Sequence, residues 1–230
     1  VAVSIAPQAW LVEQLAGGSA TITTLVRPGE SPATYQPTDA QISEVMKASV
    51  YFRIGVPFEN GPWFEAIRAS THVQVVDTRQ GIVLRAMEAH RHDNGEAHET
   101  NKAPEDERPP HGLDPHIWLS PPLLKIQART MSEVLTKLDP ARAAEFENRL
   151  TELERSLDEL DAEIRRTLAP VRGRPFLIFH PAWGYLADEY GLKQVAIEIE
   201  GKAPTDRELT AVQEFAREHG LTAVFVQPQI

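Results

Sequence analysis

Apolar and polar positions change period several times along the chain, and each change marks an element. Residues 1–5, VAVSI, form a continuous apolar run that predicts a strand. Pro7 opens a helical pattern through Trp10, Leu11, Leu15 and Ala16, which stops at Gly17-Gly18. Residues 20–26 alternate and are rich in Thr and Val, which predicts a second strand. Pro28, Gly29, Pro32 and Pro37 make 27–37 a loop. Thr38 and Asp39 cap a helix carrying Ile42, Val45 and Met46. Strands are predicted over 50–54 and 73–76, with a helix over 63–69 between them. Strand and helix alternating in this way give a parallel sheet with right-handed crossovers.

Residues 85–110 break the pattern: they are polar and charged, have no apolar period, and read as a loop. The helical period resumes over 123–138. Asp139 then stands at an N-cap with Pro140 at the first helical position. Ala143, Phe146, Leu150, Leu153, Leu157, Leu160, Ile164 and Leu168 follow at steps of three and four, which predicts one face buried along the whole helix. About 29 residues at ~1.5 Å each make a rod of roughly 43 Å. After a linker at 170–174, alternation returns: strand 175–179, helix 181–190, strand 194–199, helix 205–219, and a strand 223–226 that reads as buried.

The expected fold class is α/β, with two lobes of parallel sheet flanked by helices and joined by one long spanning helix. Residues 1–138 form the N-terminal lobe, including the loop 85–110; 139–169 form the linking helix; 170–230 form a C-terminal lobe. That lobe is expected to be incomplete, because the chain stops on a strand. A coiled-coil dimer through the long helix is the alternative, but four heptads flanked by α/β units favour an intramolecular spine.

Composition narrows the chemistry. The 230 residues are 42% hydrophobic, enough for a core, and carry a net charge of −10, which argues against nucleic acid and suits a cation. There is no cysteine, so thiolate sites, disulfides and thiol catalysis are excluded together. A transition-metal site must then use His, Asp or Glu, which favours zinc, manganese, iron or nickel over copper(I). No run approaches the ~20 apolar residues of a membrane span, and the apolar start reads as a processed N-terminus.

The eight histidines are His72, His90, His92, His98, His111, His116, His180 and His219. His180 ends the apolar strand FLIFH, and ligands of parallel α/β sheets bind at the carboxyl ends of strands. His116 sits in DPHIW just before a helix. The plainer reading of a lone histidine at a strand end is a hydrogen-bonding residue with no ligand. His72 starts a strand at the surface, and His219 suits the dipole at a helix C-terminus. His90, His92 and His98 lie in the acidic loop, as part of a solvated linker or as auxiliary weak metal capture.

Five segments carry a resemblance: PGESPATYQPTDAQI (28–42), DPHIWLSP (114–121), LDPARAAEF (138–146), FHPAWGYLADEYGL (179–192) and AVFVQPQ (223–229). In order and spacing the chain resembles the substrate-binding proteins of ABC importers for zinc and manganese, the cluster A-I metal receptors, over essentially its whole length. The resemblance implies two α/β lobes with the metal between them. It also implies a monomer, periplasmic or otherwise extracytoplasmic and either free or membrane-attached, that hands its ion to an ABC permease in the cytoplasmic membrane. It implies a receptor and not an enzyme. His116 and His180 match two of the family's metal ligands, one from each lobe. Histidine at the FHPAWGY position and a His-rich loop resemble the zinc branch, with Mn2+ the alternative to Zn2+. The chemistry agrees: zinc accepts imidazole readily, whereas manganese prefers more oxygen.

The chain departs from the family where a histidine normally follows the loop proline: here Ser31-Pro32 is followed by Ala33, which has no donor atom. Glu30, His111, a loop histidine, the more remote Glu200 or water would then complete the site. Asp114 is expected either to hold the second ring nitrogen of His116 or to serve as a turn residue. Because imidazole binds metal only when neutral, affinity is expected to fall below about pH 6. The alternative functions are a metal buffer, a chaperone or an adhesin-like protein of the same fold with a weakened site. A metallohydrolase would need an open coordination position and a general base, and no HExxH ligand helix is present.

Overall fold

The computed structural model describes residues 1–87, 112–198 and 204–227. In chain order the strands and helices are β1 (Ala2–Val3), α1 (Ala6–Ala16), β2 (Thr23–Thr24), α2 (Asp39–Val45), β3 (Val50–Arg53), α3 (Pro62–Arg68), β4 (Gln74–Asp77), α4 (Pro121–Leu138), α5 (Ala143–Leu168), β5 (Pro175–Ile178), α6 (Gly184–Tyr190), β6 (Lys193–Ala196), α7 (Asp206–Glu218) and β7 (Val224–Phe225). The described residues of Val1–Val83 and Ile117–Thr167 form one compact unit, and those of Leu84–His116 and Leu168–Gln227 form another. Among the described residues no helix is long and apolar enough to cross a membrane.

The first unit carries a parallel sheet in the order β2-β1-β3-β4. Val3, Val50 and Phe52 of the sheet pack with Leu11 and Leu15 of α1, Met131 of α4 and Phe146 of α5 in one buried cluster. Local chemistry starts the helices as the sequence predicts. The Thr38 hydroxyl accepts from the Gln41 amide at 3.3 Å, and the Gln41 carboxamide accepts from the Thr38 amide at 3.0 Å, a reciprocal cap for α2. Thr205 and Glu208 make the same box at α7.

At the carboxyl ends of β1 and β3 lies a polar hub. Glu59 is fully buried, yet its carboxylate accepts from the amides of Ile54 at 2.9 Å and Gly55 at 2.7 Å, from Arg53 Nε at 3.2 Å and from the Ser4 hydroxyl. Ser4 also bonds the Tyr51 hydroxyl. Burial, then the neighbouring Glu59 charge, pushes the Tyr51 pKa well above the usual phenol range.

Two expectations about the long helix need correction. The helix α5 is 26 residues, about 39 Å at ~1.5 Å per residue, but its apolar face is not buried throughout. Phe146, Leu153 and Leu157 are buried, whereas Leu160 is 42% exposed and Ile164 and Leu168 are half-buried. Only the N-terminal part of that face joins the core formed with α1 and α4. In addition, Asp139 leads into a 3-10 turn, Pro140–Arg142, without a side-chain cap bond.

The second unit carries a parallel sheet in the order β6-β5-β7. The strand expected to be buried at 223–226 is exposed: Phe225 is 57% and Val226 69% accessible. It is an edge strand, paired through β5, and Phe225 meets Phe176 of β5 edge-on at 6.2 Å.

Candidate metal centre

Strand register brings the first ring to the site. The ladder between β5 and β6 continues past both strands, with Ile197 N–H donating to the Ile178 carbonyl at 2.9 Å and Glu198 N–H to the Phe179 carbonyl at 2.8 Å. This sets the Glu198 side chain beside His180, one residue beyond Phe179. A tight turn follows, closed by the Ala182 amide on the His180 carbonyl at 2.7 Å, and α6 begins at Gly184.

The second ring arrives on a short ribbon. Ala86 and Leu113 form an antiparallel bridge, the Met87 amide donates to the Gly112 carbonyl at 3.1 Å, and the Asp114 amide donates to the Arg85 carbonyl at 3.0 Å. The Tyr185 hydroxyl on α6 pins both strands: it accepts from the Arg85 amide at 3.1 Å and donates to the Asp114 carbonyl at 2.9 Å. Two residues on, His116 is 8% exposed.

The two imidazoles meet with Nε2 of His116 3.3 Å from Nε2 of His180 and ring planes at 76°. Each Nδ1 faces a carboxylate. Asp114 Oδ1 lies 2.7 Å from His116 Nδ1 and also accepts the His116 amide at 2.9 Å. Glu198 Oε2 lies 3.3 Å from His180 Nδ1. An ionised carboxylate only accepts, so each Nδ1 carries the hydrogen and each Nε2 of a neutral ring presents its lone pair. Two lone pairs facing across that gap repel; a cation between them turns repulsion into coordination. Burial, followed by the neighbouring His116 charge, lowers the His180 pKa below the usual imidazole range, against the opposing pull of Glu198.

Gly184 makes room for this arrangement. A Cβ built there would fall inside the Arg85 guanidinium and sit 3.0 Å from Asp114 Oδ2. Gly184→Ala is therefore expected to lower stability by about 1–3 kcal/mol, as overpacking does, measured as a lower thermal midpoint.

The sequence placed His116 and His180 as the pair, and the structure sets them together, both in the second unit. Asp114 plays both roles weighed for it, ring partner and turn residue. Glu30 belongs to the first unit, exposed, with its carboxylate accepting from the Arg27 amide at 3.0 Å. His90, His92, His98, His111 and Glu200 lie outside the described residues. Among the described residues no group of three or more His, Asp or Glu is arranged to hold a metal. Sequence reasoning missed Glu198 and Arg85. The carboxyl-edge rule that singled out His180 applies equally to Glu198, which follows β6.

A family profile described as zinc-uptake complex component A, periplasmic, matches residues 1–230. The zinc-binding protein AdcA of Streptococcus pyogenes is 26% identical over 222 residues, covering 93% of this chain and 42% of its own length. The high-affinity zinc uptake system protein ZnuA of Bacillus subtilis is 28% identical over 224 residues, covering 96% of this chain and 68% of its own. The chain thus spans less than half of the AdcA relative. A crystal structure of ZnuA superposes with a TM-score of 0.85 at 34% identity, covering 100% of this chain and 82% of that one. The resemblance carried by DPHIWLSP and FHPAWGY is borne out, on the zinc branch: the chain belongs to the family of the periplasmic zinc-uptake complex component A.

Proposed function

We propose that this protein is an extracytoplasmic zinc receptor that delivers the ion to an ABC permease in the cytoplasmic membrane, with His116 and His180 as ligands through Nε2. One observation carries the ligand assignment: the two Nε2 atoms are 3.3 Å apart. Two imidazole nitrogens on a tetrahedral zinc at ~2.0–2.1 Å stand about 3.3–3.4 Å from each other. Both rings are already turned by carboxylates into the tautomer that coordinates. Membership of a periplasmic zinc-uptake family supports the location, the cargo and a role as receptor and not enzyme.

Zinc is the cargo this donor set favours, since divalent ions on nitrogen ligands rank manganese weakest and zinc well above it. Competition titration of the metal-free protein tests this: zinc is expected to displace manganese supplied in large excess. Equal affinities would overturn the zinc assignment.

Acid dependence follows from the site. Both rings bind only when neutral. With the His180 pKa held low by burial and the His116 charge, its neutral form persists below the usual imidazole range. Zinc affinity, measured by chelator competition across pH, is expected to fall in acid, because a proton on either ring removes a donor. A fall beginning above neutrality would contradict the assignment.

A further inference from the structure

Asp114 is fully buried, and its two carboxylate oxygens divide their work. Oδ1 takes both hydrogens that His116 offers, at 2.7 and 2.9 Å. Oδ2 faces Arg85, whose Nη1 lies 3.5 Å away. The guanidinium is itself held from three sides. Its Nε ion-pairs with Asp188 of α6 at 3.0 Å, its plane carbon stands 5.9 Å over the Tyr185 ring, and the bare backbone of Gly184 leaves the volume it fills. Main-chain bonds through Tyr185 fix Arg85 and Asp114 to each other independently of their charges.

We propose that Arg85 is a positioning residue for the metal pair: it clamps Asp114 so that Oδ1 stays aimed at His116 Nδ1, which keeps His116 Nε2 turned toward His180. This rests on the reading of His116 and His180 as the cation's ligands. A buried carboxylate without a counter-charge is costly, and without the ion pair its plane is free to turn away from the two N–H groups of His116. The rings are held unequally, His116 by a 2.7 Å contact and His180 by one of 3.3 Å. Arg85 therefore makes His116 the preformed ligand and leaves His180 to adjust.

The test uses Arg85→Gln, which removes the charge, and Arg85→Lys, which keeps it. Arg85→Lys keeps a positive charge facing Asp114 Oδ2, where Arg85 Nη1 lies 3.5 Å away. Two readouts are taken: zinc affinity by chelator competition, and the His116 ring tautomer from 15N spectra of the metal-free protein. Arg85→Gln is expected to weaken zinc about 10-fold, as loss of a ligand's supporting contact does, and to mix the two His116 tautomers. Arg85→Lys is expected to restore both. Wild-type affinity together with an unmixed Nδ1–H tautomer in Arg85→Gln overturns the proposal. If that variant does not fold, wild type and Arg85→Lys decide: both must show the proton on Nδ1, and an Nε2–H tautomer in either overturns it. If instead tight zinc binding survives removal of both histidines, the ligand reading fails, and the metal-free tautomer comparison still decides the role of Arg85.

Discussion

Replacing His116 and His180 together by Ala is expected to abolish tight zinc binding. Loss of a residue that merely supports a metal-bound histidine costs 10- to 100-fold in affinity, so losing a donor itself should cost at least ~100-fold for each ring. The two donors also act together: with Nε2 atoms 3.3 Å apart, one ring holds the ion where the other reaches it, and either alone gives up that pre-arrangement. Removal leaves Asp114 and Glu198 buried without their ring partners, which costs stability as well. Far-UV circular dichroism and a thermal melt are therefore measured alongside chelator competition, so that loss of affinity is read on folded protein. A folded double variant with wild-type affinity would remove these rings from the site.

Glu59→Ala is expected to cost about 3–5 kcal/mol, the range for removing one partner of a buried charged network. The carboxylate serves two backbone amides, a guanidinium and a hydroxyl, and alanine strips the Ile54 and Gly55 amides of that acceptor, while Ser4 keeps Tyr51 and Arg53 keeps Asp77. For a chain of this size each kcal/mol moves the thermal midpoint by about 2–4 °C, so a fall on the order of 10 °C is expected. Glu59→Gln keeps the shape but turns one acceptor into a donor facing other donors, and should fall between the two. A loss under about 1 kcal/mol in urea denaturation would mean that water satisfies the hub without Glu59.

Much of this architecture was legible because period and punctuation are local. The alternation of strand and helix and the cap at Thr38 follow from residues within a few positions of each other. His116 and His180 could be named because a general rule points to strand ends and because DPHIWLSP and FHPAWGY are specific. Contacts set by register or by distant chain were not legible. Nothing in EIE distinguishes Glu198 from Glu200; only the ladder that sets Glu198 opposite Phe179 does. Arg85 stands in a stretch without period, and its place depends on a missing side chain at Gly184. A helical pattern also says which face is apolar but not how far a partner extends along it, so burial of α5 was overestimated beyond Leu157.

The order in which the chain visits its two units bears on how the protein matures. It enters the second unit at Leu84, returns to the first at Ile117 and leaves again at Leu168. The ribbon carrying Arg85, Asp114 and His116 finds its partners 100, 71 and 64 residues downstream. Contacts of such separation close loops before they gain anything, and they fold late. The described residues of the first unit hold their contacts before 168, whereas the ribbon waits for β5 and α6. Pairing of the two rings is therefore a late event: a chain cut after 168 lacks His180 and presents no paired rings, so ring pairing reports that the second unit has closed.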